Sequence, residues 1–350
     1  MKKSNTHANN NSLNDAKQKA NSTRKIEPLF NSAFIRIFGQ KESVGITRSL
    51  INTILRRAGI KPIGEVHSIE AEHTEAAGGV DCRSARMDVR VVAAGRRHIG
   101  LEAQLYPEDI DSRSIFYASQ IVVANTPKGA KYKDIPQAVV ITLLDDAPLF
   151  PEQDGFISVS RMMWRTEGAA DTSTSAGLAE GSDRIIFVLV ELEKVRKRYN
   201  ELDEEVLSDP LLAWLYLLTI GYDNAEETDK IMCMYPDLRE FAEMYGRAID
   251  DPEVIRAYEN EAAAFREYHS RKDYLERVER EAIDRGTKLG MQQGMQQGLQ
   301  QGLQQGLEKG KVAMLAELVC DGVLTQQEAA KRLGVGVDEF AALLSDGGDD

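Results

Sequence analysis

Two stretches of strict alternation joined by a glycine constrain this chain more than any other feature. Met87, Val89 and Val91 alternate with Asp88, Arg90 and Val92. After Ala93-Ala94-Gly95-Arg96-Arg97 the pattern resumes, with Ile99, Leu101, Ala103 and Leu105 on one face and Gly100, Glu102 and Gln104 on the other. Period-two patterns on both sides of a Gly turn specify a β-hairpin. An odd-membered turn centred on Gly95 sets Asp88 directly across from Glu102, with Cβ atoms about 5 Å apart.

Two bare carboxylates at that distance repel unless one is protonated or a cation sits between them. A carboxylate pair with a backbone carbonyl suits Mg²⁺, which otherwise keeps waters and takes substrate phosphates. Between 82 and 100 the chain carries Arg83, Arg86, Arg90, Arg96 and Arg97 against Asp88 alone. A basic rim around an acidic pair is what a phosphodiester and a metal together require. The plainer alternative is a pair of ordinary acids on a solvated strand face. His98, beside the turn, reads as a surface residue.

Around the hairpin the patterns alternate between helix and strand. Residues 31–59 read as helical, with Ser43 a candidate N-cap and Ile46, Leu50, Ile51 and Leu55 at helical spacing. Residues 63–73 read as a strand, 74–83 as a Gly- and Ala-rich loop, 109–124 as a helix and 136–145 as a buried strand. Residues 167–183 are low in complexity and read as a mobile loop. Residues 184–191 return to a strand. From Pro210 the pattern is helical to about Ala282, with Asp209-Pro210 a good helix start.

A four-residue repeat follows, with Gly at 286, 290, 294, 298, 302, 306 and 310 and an apolar residue after most of them. Each interior Gly costs a helix about 1 kcal/mol relative to Ala, and a period of four drifts about 40° per repeat around a helix. The segment is either a strained helix bundled with copies of itself or a semi-flexible spacer. Residues 311–345 read as short helices, with Thr325 and Glu328 at capping-box spacing. Lys311, Lys331 and Arg332 face eight acids over 311–350, so packing or protein contact suits this segment better than reading DNA.

Composition narrows the class. Over 350 residues the formal charge is −13, which argues against a protein coated in basic charge but not against a local basic cleft. The apolar runs Leu211–Leu218 and Ile185–Val190 are far shorter than the ~20 residues of a membrane span. No apolar stretch follows the basic start, so no secretory signal is expected. Cys82, Cys233 and Cys320 are too scattered for a disulfide framework or a zinc knuckle, and the cytoplasm is the expected location. Residues 1–27 are polar, Asn-rich and basic, and read as a disordered tail.

Several segments together resemble the PD-(D/E)XK nuclease family transposases, close to the bacterial recombination-promoting nucleases. They are Arg86-Met87-Asp88-Val89, then Ile99-Gly100-Leu101-Glu102-Ala103-Gln104, then Ser112-Arg113-Ser114-Ile115-Phe116-Tyr117. Upstream, Ala33-Phe34-Ile35-Arg36-Ile37-Phe38-Gly39 and Leu50-Ile51-Asn52-Thr53-Ile54-Leu55 are similar to the family's opening and its Leu-Asn-x-Ile-Leu helix. Downstream, Tyr132-Lys133-Asp134-Ile135-Pro136 leads into Val139–Leu143 as in the family's strand entry. Asn31 and Ile35 stand where the family opening tends to have Asp and Lys.

The resemblance implies an α/β fold: a restriction-endonuclease-like mixed sheet core flanked by helices over 28–220. After it would come a helical extension (221–285), the repeat (286–310) and a small acidic helical domain (311–350), making an all-α C-terminal region. It implies Mg²⁺ or Mn²⁺ held by Asp88, Glu102 and the Ala103 carbonyl. Gln104 would stand where the superfamily places Lys, and Arg86, Arg113 and Tyr117 would face the substrate. The implied activity is a metal-dependent DNA endonuclease of low sequence specificity, linked to recombination or mobile elements. DNA is the expected partner, with a homo-oligomer formed through the C-terminal helices and no membrane contact. The alternative is a catalytically silent nuclease fold that acts by self-association or nucleic-acid binding.

Overall fold

The computed structural model describes residues 25–75, 85–107, 109–165, 178–180, 182–199 and 203–346. Its first compact unit ends at Arg266 and a second begins at Glu267.

The hairpin forms as the alternation predicts. Strand β1 (Val66–Glu75) pairs antiparallel with β2 (Ala85–Ala93), and β2 pairs antiparallel with β3 (Arg97–Gln104). The register is centred on Gly95, with Ala93 opposite Arg97 and Val89 opposite Leu101. Gly95 at φ +78 and Arg96 at φ +57 turn the chain, a geometry that costs Gly little. Helix α3 (Ile110–Ala124) then carries the chain to β4 (Gln137–Leu144), which lies parallel to β3, as strands joined through a helix do.

The sheet is completed by β8 (Ile185–Glu191), parallel to β4, and by β5 (Ile157–Arg161), antiparallel to β8. The order is β1-β2-β3-β4-β8-β5, a mixed sheet. Strands β6 (Met163–Arg165) and β7 (Leu178–Glu180) form a separate two-stranded ribbon. Strand β7 falls inside the segment expected to be a mobile loop; residues 166–177 of that segment lie outside the described residues. Central strand β4 is apolar nearly throughout because both of its faces are covered.

One face packs on the main core: Val89, Val91, Ile99, Leu101, Val139, Ile141 and Val188 lie against α1 (Asn31–Phe38), α2 (Val44–Arg57) and later helices. The expected single helix over 31–59 breaks at Gly39, where a Cβ would come within 2.7 Å of the Ala71 Cβ. Ser43 does precede α2 but its side chain makes no cap bond. Asn52 of the Leu-Ile-Asn motif is structural: its amide bonds the Ile63 carbonyl at 3.0 Å and receives the Ile63 N–H at 2.7 Å, fastening the lead into β1.

Helices α4 (Leu192–Arg198), α5 (Glu204–Ser208) and α6 (Pro210–Thr219) follow β8. Helix α6 is buried all round from Leu211 to Leu218, as an apolar helix must be. Asp209 caps it by accepting from the Leu211 and Leu212 N–H groups at 2.8 and 3.3 Å, with Pro210 in the first turn. Trp214 joins Phe38 and Phe241 in an aromatic cluster.

The segment expected as an independent extension from 221 instead adds to the sheet's own core. Helices α7 (Ala225–Met234), α8 (Arg239–Asp250) and the start of α9 (Pro252–Cys320) bury Ile231, Phe241, Met244 and Val254 there. Ile26, placed in the tail by its sequence context, is also buried, and its carbonyl accepts from the Tyr245 hydroxyl at 2.9 Å. Residues 1–24 lie outside the described residues.

In the second unit the glycine repeat is helical throughout, within α9. Leu299, Leu303 and Leu307 are exposed. Helices α10 (Gln326–Leu333) and α11 (Val337–Asp346) follow. Thr325 and Glu328 form the expected capping box, and Leu315, Ala329, Ala330 and Phe340 make a small core. Among the described residues no helix is long and apolar enough to cross a membrane.

Candidate active site

The regular pairing of β2 with β3 ends at Val89 and Leu101, one residue short of the two acids. There the strands are joined by side chains. The Asp88 N–H donates to Glu102 Oε1 at 3.3 Å, and the Ala103 N–H donates to Asp88 Oδ2 at 2.9 Å. The alternation of β2 also breaks here. Val89 and Val91 enter the main core, whereas Met87 packs under α3 with Tyr117, Ala118 and Ile121. Sequence parity puts all three on one face; the interruption at Asp88 is why Met87 differs.

Glu102 is 1 % exposed and its Oε2 has no hydrogen-bond partner. Burial, followed by the nearby Asp88 charge, pushes its carboxyl well above the usual range. Burial likewise raises Asp88 to about 6, against the lowering effects of the Ala103 N–H and Arg113. Gln104, two residues on, is buried too. With Glu102 it borders a cavity of about 10 Å³ against Ile110, Arg113, Ser114, Tyr117 and Thr142, about the room that one water needs.

Arg113 and Tyr117 meet on one face of α3, as their i,i+4 spacing implies. Arg113 Nη2 donates to the Tyr117 hydroxyl at 3.1 Å. Burial, then the Glu102 charge, raises the Tyr117 phenol, so it stays neutral and able to hold the guanidinium. Arg86 pairs through its backbone with Thr74 on β1; its side chain lies outside the described residues.

The expected basic rim requires correction. Arg90 is buried, and its guanidinium meets His98 Nδ1 at 3.1 Å, Asn125 Oδ1 at 2.9 Å and Glu70 at 3.4 Å. His98 is therefore internal, and burial with Arg90 beside it lowers its pKa to about 4. Arg97 is occupied by the Lys61 and Pro62 carbonyls and Gln137, and Arg96 by the Asp134 carbonyl. These arginines brace the turn end of the hairpin. Among the predicted basic residues, Arg113 is the one whose charge acts on both acids.

Thr142 was not anticipated. It stands opposite Glu102 on β4, and a hydroxyl in an otherwise apolar central strand was the available signal. Ser114, buried on α3 beside the same cavity, carried no such signal.

The donor set fits a hard divalent cation. Mg²⁺ is typically held by one or two carboxylates with waters and substrate phosphate, and a buried carboxylate oxygen without a donor is costly unless something positive meets it. Among the described residues no three His, Cys, Asp or Glu converge as a closed ligand cage, which a two-carboxylate centre does not need.

A mixed sheet that offers two acids and a Gln from one hairpin, with a helix crossing over them, defines a nuclease of the restriction-endonuclease type. Residues 28–274 match the PD-(D/E)XK nuclease family transposases, and the chain belongs to that family. No curated protein and no solved structure gives a match.

Proposed function

We propose that the protein is a divalent-metal-dependent DNA endonuclease of low sequence specificity, with a role in recombination or mobile-element movement. The observation that carries this reading is the meeting of Asp88 with Glu102, whose Oε2 is buried and unpartnered. Asp88, Glu102 and the Ala103 carbonyl would hold Mg²⁺ or Mn²⁺. The ion supplies Lewis-acid polarisation of a phosphoryl oxygen and a lowered pKa for attacking water.

The chain's own residues do the rest. Gln104 orients the attacking water through its amide, since it cannot act as a cationic acid as Lys would. Arg113 pairs with a backbone phosphate, a group common to every sequence, which supports low specificity. Tyr117 holds the Arg113 guanidinium in place. Arg86, on the strand of Asp88, is assigned to the substrate on its sequence position alone.

Plasmid DNA incubated with the purified protein tests this directly. Cleavage should need Mg²⁺ or Mn²⁺, stop with chelator, and vanish in Asp88→Ala and Glu102→Ala. Equal cutting by both variants refutes the assignment.

A second reading is a silent nuclease fold that self-associates through its C-terminal helices. The exposed Leu299, Leu303 and Leu307 beside glycines on α9 favour it. Truncation after Ala282 should then lower the mass seen by light scattering, and wild-type protein should bind no divalent metal.

A further inference from the structure

Two more carboxylates stand near Asp88, on elements outside the hairpin. Glu72 lies on β1 between Ala71 and His73, which pair with Val89 and Met87. That register sets Glu72 level with Asp88. Its backbone is left-handed, at φ +49, a conformation that costs a residue with a Cβ on the order of 1 kcal/mol and that clusters at functional sites. Its side chain is exposed.

Glu261 arrives from the first part of α9. Its Oε2 accepts from the Ser32 N–H at 3.2 Å and the Ser32 hydroxyl at 3.1 Å, which ties α9 to the start of α1. Both bonds fall on one oxygen. Glu261 and Glu72 each raise the proton affinity of Asp88 through their charge, and Glu72 does the same to Glu261. Arg113 is the cation that acts on Asp88 in the opposite sense.

Acids gathered in this way need an occupant to justify them. The independent sign of one is Glu102 Oε2, on a side chain 1 % exposed and lacking any donor. The acids do not close into a cage of three, so the outer pair does not suit direct ligation. Mg²⁺ gives up its waters reluctantly, and outer carboxylates can accept hydrogen bonds from those waters.

We propose that Glu72 and Glu261 form an outer carboxylate pair that grips the water ligands of a divalent cation held by Asp88 and Glu102. This rests on the metal-site reading above. Glu72 and Glu261 are positioning residues, acting on the cation through its hydration shell. Outer partners of this kind contribute about 10- to 100-fold to metal affinity.

The test is calorimetric titration of Mn²⁺ into the full chain without DNA. Glu72→Gln and Glu261→Gln should each weaken Kd about tenfold, and the double variant should weaken it further, with Tm in chelator unchanged. Gln keeps an acceptor for Ser32, so a loss of affinity reports charge and not the tie between α1 and α9. Should Glu261→Gln fail to fold, Glu72→Gln, on an exposed side chain, carries the same test. Glu65→Gln, an exposed acid just before β1, should bind like wild type. If wild type binds Mn²⁺ and Asp88→Ala does not, but Glu72→Gln binds like wild type, the outer pair is refuted and the metal site stands. If wild type binds no Mn²⁺, both are refuted.

Discussion

The Asp88 backbone N–H donates to Oε1 of Glu102, and the Ala103 N–H next to Glu102 donates back to the Asp88 carboxylate. Each acid thus satisfies a backbone donor of the other strand with one oxygen. Asp88→Asn and Glu102→Gln preserve an acceptor oxygen at each site while removing charge. Cleavage should fall by at least about 10³-fold in either, the scale of several kcal/mol of lost metal catalysis. Melting in chelator should hold or rise, because a buried charge has gone. A variant that is inactive only because it is unfolded would show the opposite in calorimetry.

Acid–base behaviour follows from the same burial. Asp88 titrates at about 6 in the fold against 3.8 when unperturbed. A carboxyl that holds its proton more tightly when folded stabilises the protein fully below the unfolded pKa and loses that contribution as pH rises through the folded one. Metal-free protein should therefore lose on the order of 3 kcal/mol between about pH 4 and about pH 7 from Asp88. Glu102 shifts in the same direction and extends the loss upward. Mn²⁺ should restore stability above about pH 6 by displacing those protons. Melting curves across that range, with chelator and with Mn²⁺, check this; a flat metal-free profile counts against it.

Arg113 should matter through phosphate. Arg113→Ala removes a charge-assisted contact of about 1.5 to 3 kcal/mol, so affinity for DNA should drop roughly 10- to 100-fold. The loss should be uniform across sequences, and the salt dependence of binding should fall by about one phosphate contact. Fluorescence anisotropy in a salt series, with Ca²⁺ in place of Mg²⁺, reads both. Sequence-dependent losses would assign Arg113 to base contact instead.

The hairpin, its register and the Arg113–Tyr117 pair were legible because alternation and i,i+4 spacing are local rules. The acids' meeting was legible for the same reason. The fate of Arg90 was not: whether a strand arginine faces solvent or a buried His98 depends on α3, which packs over it from outside the hairpin. The break at Gly39 depends on the close approach of Ala71, and Glu261 is separated from Ser32 by most of the fold. Such long-range contacts leave no periodic trace. Met87 shows a subtler limit, since its parity was clear and one irregular residue, Asp88, reversed it.

The repeat in α9 offers a stability test. A Cβ at Gly294, Gly298 or Gly302 would meet nothing within 4 Å of its own chain. Alanine at each should stabilise the helix by about 1 kcal/mol, seen as slower amide exchange over 286–310. If the glycines instead allow close approach of a second copy, the triple Ala variant should scatter light as a smaller particle than wild type.

Because the paired acids double as stitches between two strands, chemical competence and sheet integrity draw on the same oxygen atoms here. Erosion of this gene by drift would not leave an intact but idle scaffold. The first truncating change at either acid would strip a peptide donor of its acceptor and fray the ribbon from within, so retired copies should be recognisable by their softness as well as their silence.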